Sequence, residues 1–266
     1  MGDEDPEPVA RPAPIPSWRA SPPSLSARLG WLGIASAALD LGAVYWKTPA
    51  VRPGITCGDV VDAVTPVLLI LLYGMVLREL SRVPAGPAHV ARPSDSRPRL
   101  LFVLGGFGLL LGHGIHVAAN SIHDAIDRSG IADPGGLVNW WDEHVSHMTI
   151  HGSKALICVG LTALETRRTA GSGPAPRRGS ILFQAGALAY GFITFAEGIE
   201  GQTVPLLLPF AILYLAWSLG RGRPYAPVRL FYTLAAVVSI LLFAFWGLAH
   251  HGFPEFSQVG LVPRPR

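Results

Sequence analysis

The sequence predicts an all-α, polytopic integral membrane protein: a bundle of seven transmembrane helices with its N-terminus inside and its C-terminus outside. Composition, long apolar runs and the placement of arginine lead to this prediction. Hydrophobic residues make up 50% of the 266 residues and charged residues only 15%, whereas a soluble domain carries roughly 25% charged residues. An ordinary soluble globule and a disordered chain are therefore both poor fits.

Seven stretches are apolar enough to cross a bilayer, since a spanning helix needs about 20 mostly apolar residues. They are residues 28–46, 60–77, 100–121, 145–164, 181–200, 204–219 and 230–249. The sixth stretch is short and contains Pro205 and Pro209, which predicts a kink or a tilt.

The spans define one transmembrane domain, residues 28–252, between two tails. Residues 1–27 are polar and rich in proline, which predicts a disordered cytoplasmic tail. They lack the charged segment followed by an apolar core that marks a cleavable signal. Residues 253–266 are predicted to form a short extracytoplasmic tail.

Basic residues predict the direction of the chain. Fifteen of the 21 lie before the first span or beside the loops that follow the second, fourth and sixth spans, and five lie on the other side. Because short loops rich in Lys and Arg stay in the cytoplasm, the N-terminus is predicted inside, in the plasma or inner membrane. Basic charge spread between apolar runs does not indicate a nucleic-acid binder, so membrane lipids are the expected partners.

Histidines form two stripes at the predicted outer ends of the third and fourth spans. The third span ends in GHGIHVAANSIHD, which contains His113, His116 and Asn120. The fourth begins with WWDEHVSHMTIHGSK, which contains the second stripe. Its members are His144, His147, His151 and Lys154. Offsets of three and four residues place each set on one helical face.

Other spans contribute polar residues at the same end, and eight of the nine histidines lie in this layer. The further members are Asp40, Asp62, Glu197 and His250. An ionisable group in hydrocarbon costs several kcal/mol unless it is paired or hydrated. We therefore expect these groups to face one another in a cavity open to the outer face, with Asp40 or Asp62 as the partner of Lys154.

Imidazole is the commonest neutral metal ligand and suits zinc, copper and iron. Pairs at i and i+3 or i+4 on two neighbouring helices supply enough nitrogens for a coordination sphere. The sequence thus predicts metal ligands at His113, His116, His147 and His151, with carboxylates as outer-shell partners. Glu143 and Glu197 are the candidate catalytic acid or base groups.

Three chemistries remain open. Zinc with a free coordination position activates water for hydrolysis of a lipid ester or amide. Iron or copper supports oxidation of a lipid or prenyl chain. Without metal, the same histidines and carboxylates form a proton relay or an ion pathway, as in a transporter or channel. A structural protein whose histidines only stabilise helix packing is a further hypothesis.

Two families share parts of this pattern. The clustered histidines resemble those of membrane fatty acid desaturases and hydroxylases, but that family's combined set of HxxxH and HxxHH boxes is not reproduced. Seven spans with histidines near one face are similar to the alkaline ceramidase and adiponectin receptor superfamily, which has HxxxH on its last span. Here HxxxH occurs as His147 and His151 on the fourth. Bis-histidine ligation of a b-type haem between the third and fourth spans is another alternative.

Overall fold

The computed structural model describes residues 23–46, 50–52, 55–82, 95–169, 181–220 and 226–262. Over these residues the chain is helical, with seven helices of at least 17 residues. They are α1 (Pro23–Tyr45), α2 (Cys57–Arg82), α3 (Ser96–Ser129), α5 (His147–Thr169), α6 (Ile181–Glu200), α7 (Val204–Gly220) and α8 (Pro227–His250). The all-α prediction is confirmed.

Four of these helices, α2, α3, α6 and α8, are long and apolar enough to cross a membrane. Helix α7 is apolar but has only 17 residues and contains Pro209. Helices α1 and α5 have 23 residues each, and the polar stripe of the fourth predicted span lies in α5. Most of the predicted N-terminal tail, residues 1–22, lies outside the described residues, and so do many of the basic residues used to predict the direction.

Two short segments interrupt the predicted pattern. A small antiparallel pair, β1 (Ala50–Arg52) with β2 (Ile55–Thr56), connects α1 to α2. Between α3 and α5 the chain forms a 3-10 turn (Pro134–Gly136), a one-turn helix α4 (Leu137–Trp140) and a π-helical turn (Trp141–Ser146). Two acidic residues, Asp142 and Glu143, lie in the π turn, immediately before α5.

Helix α3 extends about two turns beyond the end of the predicted third span. Its 34 residues end at Ser129, where Gly130 adopts a left-handed conformation with φ 68°. Such a glycine terminates a helix because it has no side chain to oppose positive φ. The extension carries His123, whose Nε2 lies 3.5 Å from Asp127 Oδ2 at the surface.

Close packing of α3 against α5 determines which residues of the two helices are level with each other. A Cβ atom on Gly112 would lie 2.7 Å from Ile150 Cγ1, and one on Gly105 would lie 2.7 Å from the Ser153 carbonyl oxygen. Only glycine allows the helices to approach this closely. In this antiparallel register His113, next to Gly112, is level with the first turn of α5.

The two ends of the bundle carry different polar groups. We call the end with His113, His116, His147 and His151 the histidine end, and the end with Arg28, Glu79, Glu165 and Arg168 the arginine end. Between them lies an apolar core formed by buried residues of all seven long helices, among them Leu29, Leu69, Leu109, Leu161, Phe183 and Phe231.

The segment after α8 packs over the histidine end. The indole Nε1 of Trp246 donates a hydrogen bond of 3.0 Å to the Pro254 carbonyl oxygen, and the Phe256 amide donates one of 3.0 Å to Glu200 Oε1. The rings of Trp246 and Phe256 lie 4.9 Å apart, centroid to centroid. As far as Val262, the predicted C-terminal tail is therefore an ordered part of the domain.

Candidate functional site

The structure brings the two histidine stripes into contact across the α3–α5 interface. The ring centroids of His116 and His147 lie 4.9 Å apart in an edge-to-face arrangement. The rings of His147 and His151 stack with centroids 6.1 Å apart. His113 is level with these residues through the glycine contacts described above, so all four predicted ligands belong to one cluster.

His113 is buried, with 5% of its surface exposed, and is held by Asp62 of α2. Its Nδ1 lies 3.0 Å from Asp62 Oδ1. Its other nitrogen, Nε2, is buried without a hydrogen-bond partner among the described residues. Asp62 thus faces His113, and it is not the partner of Lys154 that the sequence left open.

His116 uses both ring nitrogens. Its Nδ1 lies 2.6 Å from Asp142 Oδ1, and its Nε2 lies 3.1 Å from the Asn120 side-chain nitrogen. Asp62 Oδ2 also lies 3.6 Å from Nε2, so His116 has a carboxylate near each ring nitrogen. Binding of a metal ion at His116 Nε2 requires the Asn120 amide to turn away.

His151 is the most deeply buried of the four, with 2% of its surface exposed. Its Nδ1 lies 3.6 Å from Glu197 Oε2 of α6, and its Nε2 is buried without a partner in the described part of the chain. His147 is more accessible. Its ring lies against Gly201, where a Cβ atom would come within 2.6 Å of Nδ1.

Lys154 links the cluster to α1 and α6. Its Nζ lies 2.6 Å from Glu197 Oε1 and 3.3 Å from Asp40 Oδ2. Asp40 was one of the two partners predicted for Lys154, and Glu197 is the other partner in the structure. Glu197 thus lies between Lys154 and His151.

Glu143 lies in the π turn, ahead of α5. Its Oε2 is 3.9 Å from His147 Nε2. Burial and the negative charge of Asp142 together raise the pKa of Glu143 to about 7. A carboxyl group with a pKa near neutral pH is suited to proton transfer.

Two predicted members of the polar set lie outside this cluster. His144 is exposed on the π turn. His250 is exposed at the end of α8, where its ring contacts Trp246 with centroids 4.2 Å apart. Their positions on the predicted helical face did not distinguish them from the buried histidines.

The cluster is not arranged as a closed coordination sphere. Within the described ranges, no three His, Cys, Asp or Glu side chains converge closely enough to hold an ion as they stand. Its chemistry is nonetheless typical of metal ligands, which almost always donate their second ring nitrogen to a carboxylate or carbonyl oxygen. His113 and His151 each have a carboxylate at Nδ1 and an unpartnered Nε2.

An apolar cavity adjoins the cluster between α5, α6, α7 and α8. It is partly enclosed, with a volume of about 530 Å³ that includes space open to the surroundings. His151, Lys154 and Glu197 line it near the histidine end, and aromatic side chains such as Tyr190, Tyr214 and Tyr232 line it deeper in the bundle. The sequence predicts a polar cavity open to the outer face and gives no sign of this apolar one.

The contact of Asp142 with His116 was also missed, because Asp142 does not share the spacing of three or four residues that relates the members of the predicted stripe. Because a π turn has more residues than an α-helical turn, the side chain of Asp142 points toward α3 and contacts His116 there. The tyrosines were missed because isolated tyrosines in apolar runs carry no positional signal. A donor such as Tyr73, whose hydroxyl lies 2.9 Å from that of Tyr190, is recognisable only when the helices are assembled.

The chain was also compared with known proteins. No family model matches it, and no curated protein sequence or solved structure is significantly similar to it.

Proposed function

We propose that this protein is a membrane-embedded metalloenzyme that acts on a lipid or another apolar substrate close to the outer face. His113, His116, His147 and His151 are the proposed ligands of zinc, iron or copper. The observation that carries the proposal is the pair of buried imidazoles, His113 and His151, each with a carboxylate on one nitrogen and no partner on the other. An unsatisfied polar atom in a protein interior costs about 1–3 kcal/mol, which a bound ion offsets.

The residues around the ligands supply the remaining chemistry. A bound metal ion polarises a carbonyl group and activates water, or transfers electrons if it is iron or copper. Glu143 accepts or returns a proton at neutral pH, and Glu197, 3.6 Å from His151 Nδ1, places a carboxylate beside the proposed ligand. The adjoining apolar cavity supports an apolar substrate, because aliphatic and aromatic side chains line most of it.

The proposal includes seven spans, with the histidine end facing outward from the plasma or inner membrane. Cys57, at the start of α2, is partly exposed near that end, whereas Cys158 is buried. A membrane-impermeant maleimide is expected to label Cys57 in intact cells and to leave a Cys57→Ala variant unlabelled. Labelling that occurs only after the membrane is opened would show that the orientation is inverted.

Elemental analysis of detergent-purified protein, combined with an optical spectrum, tests the metal proposal directly. Stoichiometric zinc supports hydrolysis, and iron or copper with visible bands supports oxidation or haem ligation. Replacing His116 and His147 together by alanine is expected to abolish the bound metal. A preparation without metal, at full retention of the fold, contradicts the proposal.

The second candidate is a transporter or channel for protons or metal ions. It is favoured by polar groups that continue from the cluster into the bundle: the Tyr73 and Tyr190 hydroxyls lie 2.9 Å apart, and those of Thr162 and Tyr214 lie 3.0 Å apart. Proton flux into vesicles containing the purified protein, measured with a pH-sensitive dye, separates the two functions. A flux that Tyr73→Phe removes supports transport, and an absent flux excludes a proton pathway.

A further inference from the structure

The cavity beside the cluster is lined along part of the length of four helices. On each of the four helices it is lined by side chains within the same length of chain: residues 151–158, 190–197, 207–214 and 232–239. At a rise of 1.5 Å per residue, each segment spans about 10 Å. The cavity is therefore elongated along the direction in which lipid chains run in a bilayer.

Its polarity changes along this length. The imidazole of His151, the ammonium group of Lys154 and the carboxylate of Glu197 line it at the histidine end. Most of the other lining residues are apolar or aromatic, and Ala211, Ala235 and Ala236 leave space where larger side chains would fill it. An occupant must therefore have a polar group at one end and an apolar body.

One side of the cavity is formed by α5 and α7, which have little contact with each other. Helix α7 packs mainly against α8 and makes few contacts with α5, and the cavity between them is only partly enclosed. Because α7 is itself an apolar helix, the entry that we propose for a molecule dissolved in the bilayer lies beside α7. A water-soluble ligand has no comparable reason to enter there.

We infer that this cavity binds one aliphatic chain of a membrane lipid, with the polar group of that lipid held beside His151. The inference rests on the proposed function, for which it names the substrate class: a lipid whose reactive group is next to the proposed metal ligands and whose chain extends toward Tyr232. The lining atoms then recover the van der Waals contacts that an empty cavity lacks.

Photolabelling tests this assignment. The purified protein is reconstituted into vesicles of phosphatidylcholine and phosphatidylglycerol that contain a small fraction of phosphatidylcholine with a diazirine in the middle of one acyl chain. After illumination, mass spectrometry compares labelling of residues 207–214 and 232–239 on their cavity-lining side with labelling of exposed residues. We expect enrichment on the cavity side.

Ala236→Phe is expected to fill the cavity and to lower this labelling about fivefold or more, because packed interiors have no room for an additional ring. Ala244→Phe is the matched control: it makes the same change on the exposed side of α8 and should leave labelling of the cavity unchanged. If Ala236→Phe and Ala244→Phe behave alike while both proteins keep their thermal stability, no chain occupies the cavity. If Ala236→Phe does not fold, the smaller Ala211→Val carries the same comparison, with a smaller loss expected.

The Tyr232→Phe variant distinguishes a cavity that holds an aliphatic chain from a cavity that is filled with water molecules. The Tyr232 hydroxyl is buried without a partner in the described part of the structure, and an aliphatic chain offers it none. Removing the hydroxyl should therefore maintain or increase labelling. A severalfold loss of labelling would indicate that the cavity is polar and hydrated, which would overturn the inference.

The lipid chain and the metal are measured separately, so their failures can be told apart. Labelling that depends on residue 236 in protein without metal supports the cavity assignment and refutes the metalloenzyme. Stoichiometric metal with labelling that does not depend on residue 236 supports the metalloenzyme and refutes the chain site.

Discussion

The two ends of the bundle both bury charged groups, and they do so in different ways. At the arginine end, Glu165 accepts hydrogen bonds of 2.8 Å from the Val228 and Arg229 amides at the start of α8. Glu79 pairs with Arg28 and Arg82 at 3.1 and 2.8 Å. These acids satisfy the free amides of a helix terminus or pair with arginine, so structural roles account for their burial.

At the histidine end, the contacts do not provide every buried ring nitrogen with a hydrogen-bond partner among the described residues. The Nε2 atoms of His113 and His151 are buried and have no hydrogen-bond partner within the described residues, although each ring has a carboxylate near Nδ1. Most buried polar atoms in proteins have a hydrogen-bond partner. The two acids at the arginine end have partners that account for their burial, and the proposed binding site therefore lies at the histidine end.

The largest expected effect is on metal content. Replacing His113 and His151 together by alanine removes both unpartnered nitrogens, and the affinity for metal should fall by more than the 10–100-fold typical of outer-shell changes. Elemental analysis measures the loss. His250→Ala, at an exposed ring, should retain the metal, and equal occupancy in all three proteins would mean that the ligand assignment is wrong.

The next effect concerns the carboxylate behind His113. Asp62→Asn is expected to lower metal affinity about 10–100-fold, because an amide no longer orients the imidazole or increases its basicity. Competition with a chelator measures the affinity. Asp59→Asn is the control on the same helix, since Asp59 accepts hydrogen bonds from Thr56; it should affect stability and leave metal affinity unchanged.

A third prediction addresses the arginine end. Glu165→Ala leaves the Val228 and Arg229 amides without their acceptor and should lower the free energy of unfolding by about 2 kcal/mol or more. Denaturant titration in detergent measures it, with Asp127→Ala, at a half-exposed acid, as the control. Metal content per folded protein should not change. A loss of metal would show that the two ends are coupled, against the division proposed above.

The smallest expected effect is the dependence on pH. Because Glu143 has a pKa of about 7, its carboxylate form increases as the pH rises through 7, and a reaction in which it acts as base should accelerate toward a plateau above that pH. The effect of pH on the free energy of unfolding has the opposite sign. Because the raised pKa of Glu143 favours its protonated form, the contribution of Glu143 to stability is full below the ordinary pKa of 4.5 and is lost as the pH rises through 7. Glu143→Gln should flatten both profiles; an unchanged rate profile would remove Glu143 from the mechanism.

Much of the fold was predictable because apolar length and helical periodicity are local properties. The predicted fifth span and α6 both cover residues 181–200. The end of α3 was predicted eight residues early, since its last turns are polar and hydropathy does not register them. The π turn was not predicted either, because it depends on how Asp142 and Ser146 pack against α3.

The candidate site was predictable in composition and only partly in geometry. Spacing placed His113 with His116 and His147 with His151, since i, i+3 and i, i+4 positions share a face on any α-helix. It did not identify the acid that each histidine contacts. Those acids lie on α2, α6 and the π turn, and their distances depend on helix register.

The sequence by itself determined that this chain is helical, that several helices are suited to a membrane, and that imidazole and carboxylate groups gather near one end. The tertiary structure decided which of these groups are left without partners, and it placed an apolar cavity beside them. The physical reason is that hydropathy and periodicity depend on neighbours along the chain. Burial, pairing and empty volume depend on neighbours from other helices, and the glycine contacts between α3 and α5 determine which neighbours those are.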